Sequence, residues 1–422
     1  MGIFLTPAAM ARSLGSPFWL LMVWIAMGGM TLCGALCYGA LAARFPEAGG
    51  GYVYLRELWG PRVAFLYGWK CLLVMDPGVT AALATGLAAY VSVIVPLDPA
   101  QGRLLAATAV FVLAAANIAG LRLGDGLLRA LTALKLGALG FLVVWAVASG
   151  AGDWGHFVPF LAQREGSLPL MPALAGALVA AFFSFGGWWE AAKIAGEVKD
   201  PARTLPRALA LGVSIVTVVY LAVSATFVYL VPIEAATSGE TFAAQAGAAL
   251  FGPAGGKVMA AVVVVCVLGS LSALILLLPR VYYAMARDGV FFQSMGELHP
   301  RFGTPARAIA LQAAVAALLI AMGTFEEIVA YFVFVTVAFI ALTVAGIFVL
   351  QRRSGAQGGL RVPGYPVTPA LFLGMTLLLL VLLALNRPKQ ALVGMLVVAV
   401  GAPLYGRVAA RSGRMETRGG EA

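Results

Sequence analysis

Eleven long apolar runs are the feature of this sequence that most limits its fold. A helix needs about 20 residues to cross the hydrocarbon core of a bilayer. Hydrophobic residues make up 62% of the 422 residues and charged residues 11%, against about 45–50% and about 25% in soluble domains. We therefore predict an all-α polytopic membrane protein that forms a single transmembrane domain over residues 1–422. The runs cover 17–43, 62–95, 103–120, 124–149, 170–194, 206–231, 254–286, 305–323, 328–350, 368–385 and 389–408.

A shorter apolar run precedes these eleven. It ends at Arg12, after about half the length of a complete span. Because no basic segment comes before it, the run is typical neither of a signal peptide nor of a full crossing.

Basic residues are distributed unevenly between the two sides that alternating spans define. One side has 21 of the 28, and Lys135 lies inside a span. Since loops rich in Lys and Arg remain in the cytoplasm, we predict that this side and the C-terminal tail 409–422 are cytoplasmic in a cytoplasmic membrane. The net charge of +10 thus reflects orientation in the bilayer, and we expect no nucleic-acid partner. The other side has Arg12, Arg103, Arg164, Lys257, Arg387 and Lys389.

Residues that usually carry enzyme chemistry are sparse. The cysteines, Cys33, Cys37, Cys71 and Cys266, all lie in apolar runs, where they are expected to act as small buried hydrophobes. No His-rich, paired-acid or Ser/His/Asp grouping occurs at catalytic spacing. We expect no enzyme activity, no cofactor and no metal site.

A pair of glycines, Gly186-Gly187, interrupts the run from 170 to 194 near its middle. Each glycine costs a helix about 1 kcal/mol relative to alanine, so the helix could unwind there and expose backbone groups to a polar cavity. The ends of the two half-helices would carry opposite partial charges and suit a zwitterion. Close helix packing through small residues is the simpler alternative, and this stretch taken alone favours it.

Two charged side chains within apolar runs need an explanation. Inserting a lysine such as Lys135 at bilayer depth costs about 3 kcal/mol of free energy, so its side chain should face the bundle interior. The alternative is that the side chain extends to the nearer membrane surface. Glu190 lies one helical turn before Lys193, which allows an ion pair; alternatively, it faces a pocket and favours a cationic or polar ligand.

Taken in order, several short motifs resemble the amino acid–polyamine–organocation superfamily, in the branch of the L-type and related amino acid transporters. The motifs are spread along the whole chain and are specific in combination. They are Gly2-Ile3-Phe4 with Pro7, Glu47 to Tyr52, Asn117 to Gly120 with Arg122, Phe183 to Trp188, Glu197 to Pro206, Arg280 with Ala286 to Gly289, and His299 to Pro305.

This resemblance implies a LeuT-type fold of two inverted five-helix repeats, 1–149 and 170–350, followed by two extra helices within 368–408. Because the first and sixth spans of the family are broken at mid-membrane, the resemblance also favours an unwound helix at Gly186-Gly187 over close helix packing. Discontinuous helices of this kind hold the substrate in inverted-repeat transporters.

Residue by residue, the resemblance also implies a substrate site. The backbone amides of Gly2 and Ile3 would hold an amino acid carboxylate. The carbonyl groups of Phe183, Ser184 and Phe185 would take its ammonium, and the Phe183 ring would close over it. Gly186, Gly187 and Trp188 would shape the side-chain pocket.

Lys135 matches a lysine that, in sodium-independent members, stands where sodium-coupled relatives bind a cation. Its ammonium would bridge the first and eighth spans, with Ser270 and Ser272 as neighbours. We therefore expect sodium-independent amino acid transport by alternating access, through exchange or proton-coupled uptake. An amino acid sensor that binds without transport is the alternative. Because no cysteine lies in an outer loop, no disulfide-linked heavy chain is expected.

The start of the chain departs from the family pattern. Relatives have a further glycine and a small polar residue before the motif, and a cytoplasmic half-helix before those, whereas this sequence has Met1. We therefore expect the first half of the first helix to be missing because the true start codon lies upstream. An in-frame stop just before Met1 in the genomic DNA would refute this. Trp189 replaces the Asn or Asp of many relatives, so their substrate preference does not transfer.

Overall fold

The computed structural model describes residues 2–47, 49–120, 125–236, 241–354 and 360–419, and all the regular secondary structure in these parts is helical. Within these described parts, ten stretches are long and apolar enough to cross a membrane, and the shorter apolar helix Ala306–Met322 accounts for the eleventh predicted span. The protein is thus a multi-pass membrane protein with an architecture consistent with the LeuT-type fold. Met1, Ala48, Arg122 and the last residues of the tail, 420–422, lie outside the described residues.

The helices are numbered α1 to α16 in chain order. They are α1 Gly2–Leu5, α2 Pro7–Leu14, α3 Pro17–Arg44, α4 Gly51–Trp59, α5 Pro61–Lys70, α6 Asp76–Ile94, α7 Pro99–Ile118, α8 Asp125–Ser149, α9 Leu170–Phe185, α10 Pro201–Leu230, α11 Phe242–Leu277, α12 Arg280–Arg287, α13 Ala306–Met322, α14 Phe325–Ser354, α15 Val367–Asn386 and α16 Pro388–Gly419.

Local signals fix several helix starts. Ser16 caps α3 by accepting a hydrogen bond from the Trp19 N–H. At α7, Asp98 and Gln101 form a capping box in which each side chain accepts from the other's backbone N–H, at 2.8 and 3.0 Å. Such caps satisfy backbone donors that a helix leaves unpaired at its first turn.

Two spans are irregular in ways that the apolar pattern does not predict. α5 and α6 form one span joined by a π-helical turn, Cys71–Met75. α11 bends at Phe251 and Gly252, whose φ is +70°, so a short helix precedes the predicted span. The α16 helix continues to Gly419, through most of the predicted tail.

Glycines bring α3 and α10 together. A Cβ on Gly28 would lie 2.5 Å from the Thr217 side chain, and one on Gly39 would lie 2.8 Å from the Pro206 Cα. Small residues allow such close approach of membrane helices. α3 also contacts α9, and therefore helps to position the broken span. The division into repeats 1–149 and 170–350 remains a prediction.

Candidate functional site

The span that contains Gly186 and Gly187 is broken at these two residues. α9 ends at Phe185, Gly186 is extended (φ −51°, ψ 148°), and Gly187 has φ +100°. The chain resumes as a 3₁₀ helix, Trp188–Glu197. A Cβ on Gly187 would meet nothing within 4 Å, so close packing does not explain this glycine. The prediction of an unwound segment is confirmed, and the packing alternative is wrong.

The start of the chain packs directly against the end of α9. A Cβ on Gly2 would lie 2.3 Å from the Ser184 Cα, so only glycine fits there. The Thr6 and Ser184 hydroxyl oxygens are 2.7 Å apart, and both residues are buried. Gly2 and Ile3 are buried in the first turn of α1, where backbone N–H groups have no partner within the helix. The structure thus brings the two predicted halves of the site together.

α1 and α2 are nearly continuous at Thr6. The Thr6 N–H donates to the Gly2 carbonyl oxygen at 2.9 Å, and the Met10 N–H donates to the Thr6 oxygen at 3.1 Å. The interruption there is therefore slight.

Two of the three carbonyl groups predicted to face an ammonium already accept hydrogen bonds. The Ser184 oxygen accepts from the Tyr220 hydroxyl at 2.8 Å, and the Phe183 oxygen accepts from the Gly186 N–H at 3.1 Å. A carbonyl oxygen has two lone pairs, so each can accept a second donor. Their role toward an ammonium remains a prediction.

Aromatic rings surround the break. Phe183 lies with ring centroids 5.5 Å from Phe325 and 5.9 Å from Phe332, both on α14. Trp188 lies 5.1 Å from Tyr38 on α3. Phe183 therefore stands between α9 and α14, where a shift of either helix would move its ring.

A cavity of about 340 Å³ borders the break on its α10 side. This volume lies in the range of small-molecule sites. Of the predicted site, the cavity is lined by Ser184 to Trp188 but not by Gly2, Ile3 or Phe183. A larger cavity of about 610 Å³ lies between α2, α9, α14 and α15 and reaches Thr6.

Lys135 connects α8 to α11. Its ammonium donates to the Ser270 hydroxyl at 2.7 Å, as expected for a lysine that faces the bundle interior. Ser272 is buried, but it is not hydrogen-bonded to Lys135; its backbone oxygen accepts from the Asn117 amide at 3.5 Å. The functional role of the three predicted residues remains a prediction.

Glu190 and Lys193 form an ion pair along the 3₁₀ helix, with side chains 23% and 12% exposed. This confirms the ion-pair interpretation of Glu190. The Gly49 N–H donates to the Lys193 carbonyl oxygen at 3.1 Å, and Gly50 has φ +53°. The glycine-rich loop before α4 therefore packs on the end of the broken span.

Sequence reasoning missed three contributors to this region. Tyr220 donates to Ser184, Tyr90 donates to the Phe4 carbonyl oxygen, and Thr6 contacts Ser184. Each is a hydroxyl in an apolar run, and buried hydroxyl groups are normally hydrogen-bonded. That signal shows that a partner exists, but it does not identify the partner.

Comparison with known proteins identifies the family of the chain. The sequence model of the amino acid permease family matches residues 1–402. The chain is 28% identical to the serine/threonine exchanger SteT of Bacillus subtilis (strain 168), over 96% of this chain and 92% of that protein. It is also 28% identical to the human large neutral amino acids transporter small subunit 2, over 96% of this chain and 76% of the relative. The b(0,+)-type amino acid transporter 1 of Oryctolagus cuniculus is 28% identical over 83% and 72%, respectively. The chain therefore belongs to the amino acid permease family, within the amino acid–polyamine–organocation superfamily.

Proposed function

We propose that this protein transports amino acids across the cytoplasmic membrane by alternating access without sodium, through exchange or proton-coupled uptake. The observation that carries the proposal is the break at Gly186-Gly187, packed against the first turn of α1. Transporters with inverted repeats bind substrate between discontinuous helices. Membership of the amino acid permease family indicates the class of substrate.

Two helix ends suit a zwitterion at this point. The N–H groups of Gly2 and Ile3 favour a carboxylate, because a helix N-terminus carries partial positive charge. The carbonyl end of α9, at Phe183 to Phe185, favours an ammonium for the opposite reason. Gly186, Gly187 and Trp188 then border the substrate side chain, and the Phe183 ring covers it.

Lys135 supports sodium independence. Its ammonium already places a positive charge between α8 and α11, at 2.7 Å from Ser270. A second cation beside it would be repelled, since like charges in a poorly solvated site interact strongly. We propose that Lys135, Ser270 and Ser272 together take the place of a bound sodium ion.

The distribution of basic residues and the positions of the cysteines support proposals about membrane orientation and partners. The strongly basic side and the C-terminus are proposed to face the cytoplasm. All four cysteines are free and lie within helices, so we propose that no heavy chain is attached by a disulfide. The partners are the amino acid and the lipid bilayer, with no nucleic acid.

Counterflow in proteoliposomes tests the function. Vesicles loaded with an unlabelled amino acid should accumulate the labelled amino acid equally well in sodium and choline buffers. Phe183→Ala should raise the substrate concentration for half-maximal counterflow, whereas Phe111→Ala, which changes a phenylalanine 48% exposed on α7, should not.

A thermal-shift screen of the twenty amino acids selects the substrate. A ligand at about 100 times its Kd stabilises the folded state by about 2.7 kcal/mol. Stabilisation by an amino acid without counterflow of that amino acid would refute transport and favour the sensor. Counterflow that requires sodium would refute the assigned role of Lys135.

A further inference from the structure

The Asp76 carboxyl group is fully buried in the membrane-spanning part of the protein and is not part of the substrate site. It begins α6, directly after the π turn. Its Oδ2 accepts a hydrogen bond from the Tyr282 hydroxyl at 2.8 Å, whereas its buried Oδ1 has no hydrogen-bond partner. Within the described chain, no lysine or arginine nitrogen lies within 4.0 Å of it. An ionised carboxylate is costly to bury in such surroundings.

A chain of hydrogen bonds from Asp76 fits both protonation states. Tyr282 lies 3.4 Å from the Gln312 Oε1, Gln312 donates to the Thr80 hydroxyl at 3.0 Å, and Thr80 donates to the Asp76 carbonyl oxygen at 2.7 Å. When Asp76 is ionised, Tyr282 donates to it. When Asp76 is protonated, its Oδ2–H can donate to the Tyr282 oxygen, and Tyr282 then donates to Gln312. No member loses its last partner in either state.

A second buried charge lies one π turn away. Lys70 is 1% exposed; its ammonium contacts the Met75 sulfur at 3.0 Å and lies 4.6 Å from the Tyr67 ring centroid. Within the described residues, no carboxylate lies within 4.0 Å of it. π turns inside helices are rare and frequently occur at functional sites. This turn thus separates two buried ionisable side chains, an acid and a base, neither of which has an ion-pair partner within 4.0 Å among the described residues.

The charged groups that act on Asp76 come from two elements. The 3₁₀ helix after the break contributes Lys193, which attracts the carboxylate, and Glu190, which repels it. The span that contains Asp76 contributes Lys70, which also attracts the carboxylate. α12 and α13 contribute the uncharged hydrogen-bonding groups described above, and α14 presents the Phe332 ring to Gly78. Lys193 and Glu190 act on Asp76 in opposite directions and are themselves an ion pair, so the charge on Asp76 is linked to that pair through space.

We propose that Asp76 binds a proton in each transport cycle and so couples amino acid movement to the proton gradient. This rests on the proposed transport function. A proton from water on one side binds the carboxylate as an O–H group, and the same proton returns to water on the other side, with no change in oxidation state. Protonation removes the charge that attracts Lys193 and repels Glu190, and so changes the electrostatic environment of their ion pair after the helix break.

Proton-driven accumulation tests the proposal in proteoliposomes that contain the full chain. The membrane potential is held near zero with potassium and valinomycin, and the outside is made about one pH unit more acidic. One pH unit is a tenfold ratio of protons, so one proton per amino acid should give up to about tenfold accumulation. A pH-sensitive dye in the lumen should report acidification that depends on the amino acid. Asp76→Asn should lose both signals, and Glu297→Gln, at an exposed carboxylate paired with Arg307, should keep them.

Counterflow at equal pH, which needs no net proton movement, separates the possible failures. Wild-type counterflow without accumulation or acidification overturns the proton proposal alone, and so does proton-driven accumulation by Asp76→Asn. No counterflow for any amino acid overturns the transport function itself.

Infrared difference spectroscopy provides a readout that does not depend on transport or on the Asn variant. The wild type should show a protonated-carboxyl band that titrates with pH, and Tyr282→Phe, which removes the donor to Asp76 and keeps the ring, should shift its midpoint. An unshifted midpoint, or no titrating band, would overturn the assignment.

Discussion

Replacing Gly187 by alanine tests the broken span directly. Gly187 has φ +100°, a conformation that brings a Cβ too close to the following carbonyl oxygen and costs a non-glycine residue about 1–2 kcal/mol. Because an added Cβ would meet no atom within 4 Å, no packing clash adds to this cost. Gly187→Ala should therefore destabilise the protein by about 1–2 kcal/mol through the backbone alone.

Gly374→Ala is the matched control. Gly374 lies within α15, and its added Cβ also meets nothing within 4 Å. Alanine is favoured over glycine in a helix by about 1 kcal/mol, so this variant should be slightly stabilised. The same chemical change is thus expected to have opposite signs at the two positions.

The cysteines provide the assay. All four are free, and three are buried, so a thiol-reactive dye reports unfolding as they become exposed. At about 2 °C per kcal/mol, Gly187→Ala should melt about 2–4 °C below the wild type and Gly374→Ala slightly above it. Gly187→Asn should recover part of the loss, since Asn tolerates positive φ better than Ala. Equal Tm values for the two alanine variants would mean that the helix continues through Gly187, and the reasoning about the site would be wrong.

Three further changes test other contacts. Tyr52→Phe removes a 2.8 Å hydrogen bond to the Asp288 carboxylate and should lower the unfolding free energy by about 1–2 kcal/mol. Burial first, and this bond second, raise the pKa of the Tyr52 phenol, so the bond stabilises the folded state fully at any pH below the ordinary tyrosine pKa of about 10. The loss of stability should therefore be the same at about pH 7 and about pH 9. Lys135→Met should lower counterflow more than tenfold, whereas Ser270→Ala, which removes one partner of the ammonium, should lower it less. The Arg164 side chain is 7% exposed; its guanidinium donates to four backbone carbonyl oxygens and pairs with the Glu234 carboxylate. Lysine cannot reproduce this geometry, so Arg164→Lys should lower the unfolding free energy by about 2–3 kcal/mol.

Each of these variants has a control at an exposed position. Tyr365→Phe, Lys257→Met and Arg103→Lys make the same chemical changes on exposed side chains, where substitutions usually change stability by less than about 0.5 kcal/mol. A stability loss for Tyr52→Phe that shrinks between the two pH values would contradict the raised pKa. Counterflow that survives Lys135→Met as well as it survives Lys257→Met would contradict the role of Lys135. Equal Tm values for Arg164→Lys and Arg103→Lys would show that the guanidinium contacts of Arg164 contribute little to the unfolding free energy.

The spans and the break could be predicted because their causes are local. A run of apolar residues needs only its own length to require a membrane, and the conformational freedom of Gly187 is a property of that residue. The contact between Lys135 and Ser270 followed from the resemblance, because the two residues are 135 positions apart. No local pattern would have paired them.

The proton-binding network could not be predicted in the same way. Asp76 and Tyr282 are 206 positions apart, and Gln312 reaches Thr80 across 232. The signal for Asp76 was nevertheless present, since a carboxylate inside an apolar run is as costly and as informative as the lysine at 135. The π turn beside it had no signal, because Cys71–Met75 continues the apolar pattern of the helix.

The two halves of the broken span are held by different kinds of contact, and this bears on which half moves. The last turn of α9 is a regular helix that the Tyr220 and Thr6 hydroxyls hold at Ser184. Beyond Gly187 the chain is a 3₁₀ helix, whose hydrogen bonds have poorer geometry. Among the described residues, a backbone hydrogen bond from Gly49 to Lys193 links that helix to the loop before α4. Since the backbone hydrogen bonds of a 3₁₀ helix are weaker than those of the α9 helix, the segment after Gly187 needs less free energy to change its conformation than α9 does. We therefore expect it to move first when the strongly basic side of the protein opens.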